Sequence, residues 1–218
     1  NPCPFGSASS SLAEGTKNMI KKFHFAFDKT KKSKDLKKKI LKLYRNYNLS
    51  KADCIVVAGG DGFMLNILKK NLSSKKSFYG INCGTFGFLM NKYNFLYIKK
   101  KINKSKKTTI NPLEILAITK NNKKKKLLAI NEVSLFRQSR QTSSLQLGIN
   151  KKIIIKKLIG DGVLISTPAG STAYNLSVHG PILSLNSEKL AITPISPFRP
   201  RRWKGKIISN KKIVKIIN

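Results

Sequence analysis

The residues best suited to chemistry lie in a glycine-rich segment, "AGGDGFML", at residues 58–65. The segment follows the apolar run "DCIVV" and precedes a second apolar stretch, which predicts a loop between a buried strand and a helix. Glycines at Gly59, Gly60 and Gly62 let another molecule approach the backbone closely. In α/β folds, loops of this kind bind phosphates through backbone N–H groups and the amino end of the helix.

Asp61 is the unusual member of this loop, because a carboxylate repels a phosphate unless a cation or a hydrogen-bond donor compensates for it. The segment has neither the GxxxxGK[ST] spacing of a Walker A loop nor the GxGxxG spacing of a dinucleotide fingerprint. Two chemistries make sense of the charge. Asp61 could bind a nucleotide's Mg²⁺, or it could accept a hydroxyl proton during phosphoryl transfer. An Asp that only stabilises its own turn is the alternative.

Two further segments carry polar residues that suit a nucleotide. They are "NEVSLFR" at residues 131–137 and "GDGVLISTPAGSTAYNLSVHGPI" at residues 160–182. Taken alone, Asn131–Glu132 could be a polar strand end and Asp161–Gly162 a turn. Inside the second segment, a Pro- and Gly-containing loop leads into a short predicted helix capped by Ser171 or Thr172.

In this order, the three motifs resemble the NAD kinase family in its alphaproteobacterial form, as "GGDGFML", "NEVSLFRQSRQT" and "TPISPFRPRRW" indicate. The resemblance runs from Met19 to the end of the chain. It implies an α/β N-terminal domain with a parallel sheet, a C-terminal all-β, sandwich-like domain, and a site in the cleft between them. The implied reaction transfers the γ-phosphate of ATP to the 2′-hydroxyl of the adenosine ribose of NAD, making NADP. Mg²⁺ or another divalent cation is expected with ATP, and the protein is expected to be a cytoplasmic homo-oligomer, a dimer or a tetramer.

The resemblance also implies roles for single residues. Asp61 is expected to accept the proton of the ribose 2′-hydroxyl, and Gly59 and Gly60 are expected in the loop that accommodates the ATP phosphates. No side chain is assigned to a metal. The residues expected to bind NAD are Asp61, Gly62, Phe88, Asn131, Glu132, Asp161, Thr172, Ala173, Tyr174 and Ser177.

Three of these residues have more specific expectations. Phe88 is expected to pack on the adenine, although a place in the core is equally open. Tyr174 offers a stacking face. By the resemblance, Asp161 reaches the nicotinamide end of an NAD molecule bound to a neighbouring subunit.

Apolar patterning predicts the elements that position these residues. "IKKFHFAF" alternates as a strand, and "DCIVVA" and "SFYGIN" predict two more strands. "FMLNILKKN" suits a helix, and "KDLKKKILKLYRNY" predicts another, with its apolar stripe at Leu36, Ile40, Leu43 and Tyr47. Strands that alternate with helices predict an α/β unit with a parallel sheet.

The texture changes near residue 100. Short strand-like runs with polar turns follow, which predicts an α/β domain at residues 19–100 and a β-rich domain at 101–218. Residues 1–18 are small and polar, so we expect a disordered leader or an expression remnant there. Related sequences are expected to continue beyond "NKKIVKIIN", so the β domain is expected to be incomplete.

Charge is the most extreme feature of the composition, with 44 Lys plus Arg against 9 Asp plus Glu and a net charge of +35. Such a charge attracts polyanions. The lysine clusters are not interleaved with aromatic residues, however, so specific nucleic-acid binding is not expected. No apolar run is long enough for a membrane span, and three cysteines without a CxxC pair favour a reducing compartment. The rival functions are a lipid kinase with the same glycine–aspartate loop, a polyanion-binding protein and an inactive truncated homologue.

Overall fold

The computed structural model describes residues 20–74, 76–85 and 87–218. The chain divides into two compact units between Lys106 and Lys107. The leader predicted at residues 1–18 lies outside the described residues.

The first unit alternates strands and helices, as predicted. Its elements are β1 (Phe23–Phe27), α1 (Lys31–Leu43), a 3₁₀ turn (Leu49–Lys51), β2 (Cys54–Gly59), α2 (Asp61–Lys70), β3 (Ser77–Asn82) and α3 (Ile98–Lys104). The strands are parallel and lie in the order β1-β2-β3. This confirms the predicted α/β unit with a parallel sheet.

Strand β2 is buried along its whole length because both faces of the sheet are covered. Val56 packs on one face with Leu36 and Ile40 of α1. Ile55 packs on the other face with Met64 of α2. Side chains alternate across a strand, so a continuous apolar run can supply both cores. Because the three strands are parallel, the loops that follow them lie at the same edge of the sheet.

Helix α1 differs from its prediction at both ends. It begins at Lys31, because the hydroxyl of Thr30 accepts a hydrogen bond from the Ser33 N–H at 3.3 Å and caps the helix. Of the predicted apolar stripe, Leu36 and Ile40 are buried, but Leu43 is 57% exposed. Tyr47 lies beyond the helix, where its N–H donates to the Phe23 carbonyl at 2.9 Å. The stripe prediction is therefore wrong for its last two members.

The second unit is mostly antiparallel β, as predicted. Its elements are β4 (Leu113–Ile118), β5 (Lys124–Ala129), β6 (Glu132–Phe136), β7 (Ser143–Ile149), β8 (Lys152–Gly160), β9 (Gly162–Ser166), α4 (Tyr174–Ser177), β10 (Lys189–Ile195), β11 (Lys206–Ser209) and β12 (Val214–Ile217). One sheet has the order β11-β10-β9-β6, a second has β12-β7-β8, and β4 pairs with β5 in a hairpin.

The two larger sheets share one apolar core. Leu147 and Leu158 from one sheet belong to the same buried cluster as Ile165 and Ile192 from the other. Two sheets that face each other across such a core form a sandwich, which agrees with the predicted architecture.

No helix in the described ranges is both long enough and apolar enough to cross a membrane.

We expect Leu36→Ala to lower the free energy of unfolding by about 2–5 kcal/mol, because it leaves a cavity in a packed core. Leu41→Ala is the matched control in the same helix, where the side chain is 41% exposed; it should change stability by about 0.5 kcal/mol or less. Urea denaturation of both variants checks the prediction. Equal losses in the two variants would contradict the assigned core.

Candidate functional site

The loop between β2 and α2 is the first part of the candidate site. A Cβ at Gly59 would lie 2.8 Å from Cδ1 of Phe63 and 2.9 Å from Oδ2 of Asp28, so a larger residue there would displace these two side chains. Gly60 precedes α2 as its N-cap residue. A Cβ at Gly60 or Gly62 would meet no atom within 4 Å. The backbone at these two positions is therefore open to the approach of a ligand.

Asp61 is the first residue of α2, and its carboxylate is held by two backbone amides. The Phe88 N–H donates to Oδ2 at 2.8 Å, and the Leu89 N–H donates to Oδ1 at 3.1 Å. Each carboxylate oxygen can accept more than one hydrogen bond. The two amides therefore fix the orientation of the carboxylate and leave it able to accept a further donor.

The segment that supplies these amides is tied to β3. The Asn91 N–H donates to the Gly80 carbonyl at 3.0 Å, and the Asn91 carbonyl accepts from the Asn82 N–H at 2.9 Å. The Asn91 side chain adds a bond from Nδ2 to the Gly80 carbonyl, also at 3.0 Å. The position of the Asp61 carboxylate is thus set by the sheet as well as by α2. Asn91 lies outside the three sequence motifs, so the sequence analysis did not identify it.

Phe88 presents its ring to solvent while its N–H is bonded to Asp61. The side chain is 61% exposed. The alternative that placed Phe88 in the core is therefore wrong. The exposed ring is free to pack on a flat ligand, and its proposed contact with adenine stays a prediction.

Asn131 and Glu132, at the start of β6, each have a buried side-chain oxygen without a hydrogen-bond partner in the described ranges, called an orphaned oxygen below. Asn131 Oδ1 and Glu132 Oε2 are buried, and neither has a hydrogen-bond partner in the part of the chain that the structure describes. Buried polar atoms are nearly always paired in native proteins. Both oxygens are acceptors, so a ligand with N–H or O–H donors would satisfy them. Burial also raises the pKa of the Glu132 carboxyl.

The loop after β9 is packed tightly against Asn131. The Thr167 N–H donates to the Asn131 carbonyl at 2.8 Å. A Cβ at Gly170 would lie 2.2 Å from that same carbonyl oxygen, so only glycine fits there. The loop of the "TPAGSTAY" motif therefore lies directly against the backbone of Asn131, the residue that carries one of the orphaned oxygens.

Two buried side chains hold this loop together. The Ser171 hydroxyl donates to the Pro168 carbonyl at 2.8 Å and accepts from the Leu183 N–H at 3.0 Å. Asn175 Nδ2 donates to the Ser171 and Pro181 carbonyls, and its Oδ1 accepts from the Thr193 hydroxyl at 2.7 Å. The predicted cap at Ser171 or Thr172 is wrong, since Ala173 precedes α4 and makes no side-chain capping bond. The Ser171 hydroxyl is engaged elsewhere in the loop.

The four predicted NAD-binding residues of this loop lie on its more accessible side. Thr172 and Ala173 are partly buried, and Ser177 is exposed. The Tyr174 side chain is 38% exposed. The sequence motif could not distinguish these residues from Asn175, which lies among them but is fully buried in the supporting network.

Asp161 lies at the other end of β9 from Glu132. Glu132 is paired with Ser166 and Phe136 with Gly162, so about 13 Å of strand separates the two ends. Arg137 Nε donates to Asp161 Oδ1 at 2.5 Å. This bond and the Arg137 charge lower the pKa of the Asp161 carboxyl. The second unit therefore does not bring Asp161 together with Asn131 and Glu132.

We next considered which described side chains could bind a metal ion directly. Within the described ranges, no group of three or more His, Cys, Asp and Glu side chains could hold a metal ion.

Two family models match the chain. One, described as the ATP-NAD kinase N-terminal domain, matches residues 10–107, and the other, described as the ATP-NAD kinase C-terminal domain, matches residues 130–217. These two ranges contain every site residue that the sequence predicted.

Individual relatives agree with the family models. The NAD kinase of Mesorhizobium japonicum is 48% identical over 172 residues, which cover 79% of this chain and 67% of the relative. The NAD kinase of Zymomonas mobilis subsp. mobilis is 44% identical over 187 residues, covering 85% and 72%. The crystal structure of an NAD kinase from Archaeoglobus fulgidus in complex with ATP superposes with a TM-score of 0.72 at 26% identity, covering 90% of this chain and 80% of that one.

The raised pKa of Glu132 predicts how stability depends on pH. The folded state keeps the proton above the ordinary pKa of 4.5, so stability falls as pH rises through the window between the unfolded and folded pKa values. Glu132→Gln removes this titration, and the variant should gain stability relative to the wild type on going from acidic to neutral pH. Urea denaturation across that range measures the effect.

Glu188→Gln is the control for this prediction, because Glu188 has a 71% exposed side chain and only a 3.8 Å pairing with Lys211. The free energy of unfolding of the Glu188→Gln variant should change with pH as that of the wild type does. A Glu132→Gln variant with an unchanged pH slope would contradict the effect assigned to burial.

Proposed function

This chain belongs to the ATP-NAD kinase family, and from that membership we propose that Asp61 is the general base of its reaction. NAD kinases transfer the γ-phosphate of ATP to the 2′-hydroxyl of the adenosine ribose of NAD. In the proposed step, the hydroxyl proton passes to a carboxylate oxygen of Asp61. The 2′-oxygen then bonds to the γ-phosphorus, the bond from that phosphorus to the β,γ-bridging oxygen breaks, and ADP leaves.

The double hydrogen bond to the Asp61 carboxylate carries this proposal. A base must be held in a productive orientation before the substrate arrives. Asp61 meets this requirement through the Phe88 and Leu89 amides. A carboxylate that only stabilised its own turn would bond to the turn, whereas these amides lie 27 and 28 residues away in sequence.

We assign the ATP phosphates to the backbone at Gly59 and Gly60. The first amides of α2 have no acceptor inside the helix, and its amino end favours an anion. Mg²⁺ accompanies ATP in this proposal and neutralises part of the phosphate charge. Asp61 and Asp28 are the carboxylates beside the glycine loop that could reach it.

We assign NAD to two groups of residues. The orphaned oxygens of Asn131 and Glu132 accept from donors of the adenosine part of NAD. We assign further contacts with NAD to Gly62 and Phe88 in the first unit and, in the second unit, to Thr172, Ala173, Tyr174 and Ser177.

We propose further that the protein works as a homo-oligomer, a dimer or a tetramer. Asp161 lies at the opposite end of β9 from the Asn131–Glu132 pair. A second subunit gives this carboxylate a role, because Asp161 can then contact the nicotinamide end of the partner's NAD. We also propose a cytoplasmic location, because the sequence has three cysteines and no CxxC pair.

The rival functions are less well supported. A lipid kinase shares the glycine–aspartate loop but not the "STPAGSTAYNLS" motif, and the family models favour NAD kinase over the whole matched length. A polyanion-binding protein would not need the fixed carboxylate of Asp61.

We predict that Asp61→Asn lowers kcat for NADP formation by at least about 10²-fold, because the proton acceptor is lost. NAD binding, measured by calorimetry, should be largely retained. A variant that turns over normally would rule out Asp61 as the general base.

Asp53→Asn is the matched control. Asp53 Oδ2 also accepts two backbone N–H bonds, from Lys21 at 3.0 Å and Lys22 at 2.9 Å. It lies at the opposite end of β2, about 20 Å from the glycine loop. This variant loses the same kind of carboxylate and should keep kcat within about threefold of the wild type, as expected for a surface change away from the chemistry.

A further inference from the structure

Lys32 lies in the first turn of α1, near the edge of the sheet that carries the glycine loop. We propose that its ammonium group binds a phosphate of ATP and positions the triphosphate beside Gly59 and Gly60. This inference rests on the proposed ATP-dependent activity. It adds a binding residue that none of the three sequence motifs contains.

The start of α1 is fixed against the strand that leads into the glycine loop. The Asp28 N–H donates to the Ala58 carbonyl at 3.0 Å. The buried hydroxyl of Ser33 donates to the same carbonyl at 2.9 Å. Ala58 directly precedes Gly59. The backbone of Lys32, next to Ser33, is therefore held close to the loop.

The Lys32 side chain is held at the same edge. Its Nζ lies 4.8 Å from the centroid of the Tyr93 ring, a distance typical of a cation–π contact. Burial raises the pKa of the Cys83 thiol, the Asp28 carboxylate adds to the rise, and the Lys32 ammonium opposes it. The Cys83 N–H in turn donates to the Gly59 carbonyl at 2.8 Å. The Lys32 charge therefore acts on groups that contact the glycine loop.

Among the described residues, no carboxylate forms an ion pair with the Lys32 ammonium. The ion pairs of the described residues do not include Lys32, although Asp28 and Asp35 are close to it in sequence. Asp28 Oδ1 instead accepts from the N–H of Thr30 at 3.0 Å and from its hydroxyl at 2.6 Å. The ammonium is therefore available to an external anion.

The edge also needs a cation for electrostatic reasons. A triphosphate at the glycine loop approaches the carboxylates of Asp61 and Asp28, and repulsion between like charges is strong where water is excluded. A lysine ammonium is a compact point charge that commonly binds phosphate. Lys32 can offset this repulsion and fix one phosphate group.

Lys39 offers a matched comparison within the same helix. It follows Lys32 by seven residues and therefore lies on nearly the same face, about 10.5 Å further along the axis. Its Nζ lies 5.3 Å from the centroid of the Phe95 ring. Lys39 thus has the same charge and the same kind of ring contact, but it is further from the sheet edge.

The test compares Lys32→Met with Lys39→Met, because methionine keeps a long apolar chain against the ring and removes the charge. Lys32→Met should raise KM for ATP on the order of tenfold, as the loss of one charge-assisted contact implies, with KM for NAD changed less than about twofold. Lys39→Met should leave both constants within about twofold. Lys32→Arg should restore most of the ATP affinity. Higher ionic strength should reduce the difference in KM for ATP between Lys32→Met and the wild type.

Calorimetric titration with ATP separates this inference from the proposed function. A wild type that forms no NADP would overturn the proposed function, and weaker ATP binding in Lys32→Met alone would still support the inference. Unchanged ATP binding in Lys32→Met would overturn the inference about Lys32. Equal weakening in both Met variants would also overturn it, because the loss of net charge alone would then explain the effect. A wild type that does not bind ATP would overturn both.

Discussion

The Asp61 carboxylate, bonded to the Phe88 and Leu89 amides, is the constraint on which the chemistry proposed for the first unit depends. A negative charge inside a phosphate-binding loop is unfavourable unless fixed donors compensate for it. Here the donors come from a segment that Asn91 fastens to β3. Strand β2 places the start of α2, and β3 places the amides. The parallel sheet thus holds a carboxylate and its donors in register, and the carboxylate needs no reorganisation when a hydroxyl arrives.

The second unit contributes hydrogen-bond acceptors that have no partner among the described residues and that a ligand could satisfy. Asn131 and Glu132 are fixed by the β6–β9 pairing and by a loop that lies directly against the Asn131 backbone. The Asn175 and Ser171 bonds satisfy the loop's own polar groups. Beside this loop, Asn131 and Glu132 each keep a buried side-chain oxygen that has no hydrogen-bond partner within the described part of the chain. Rigid support with vacant acceptors is the pattern expected of a preorganised polar binding surface.

The sequence predicted the parts of the fold in which one local rule dominates. The run "CIVVA" at residues 54–58 is apolar throughout because both faces of β2 are covered, and such a run predicts a buried strand whatever its neighbours are. The α1 stripe failed at Leu43 because Tyr44 packs against the core at this end of the helix instead. It failed at Tyr47 because the helix ends at Leu43 and the Tyr47 N–H bonds to the Phe23 carbonyl, a contact distant in sequence. Strand β10 lies between β9 and β11, but its pairing with β11 ends at Ile192, so Pro194 is paired on one side only, with Val163 of β9.

For the site, the motifs predicted candidate residues but did not show what holds those residues in place. Asp61 and Asn131 were named from sequence patterns. The amides of Phe88 and Leu89 could not be, since any residue supplies a backbone N–H. The Arg137–Asp161 pair was present in two separate motifs, but only the β6–β9 pairing brings them together. Lys32 lies outside all motifs, in a chain where lysines are too abundant for one to stand out.

The most direct test of the account is the product formed by the purified chain from ATP and NAD. We expect one NADP and one ADP for each ATP consumed, with phosphorus NMR placing the new phosphate on the 2′-oxygen of the adenosine ribose. ATP consumption without NADP, or a phosphate attached at any other hydroxyl, would contradict the account.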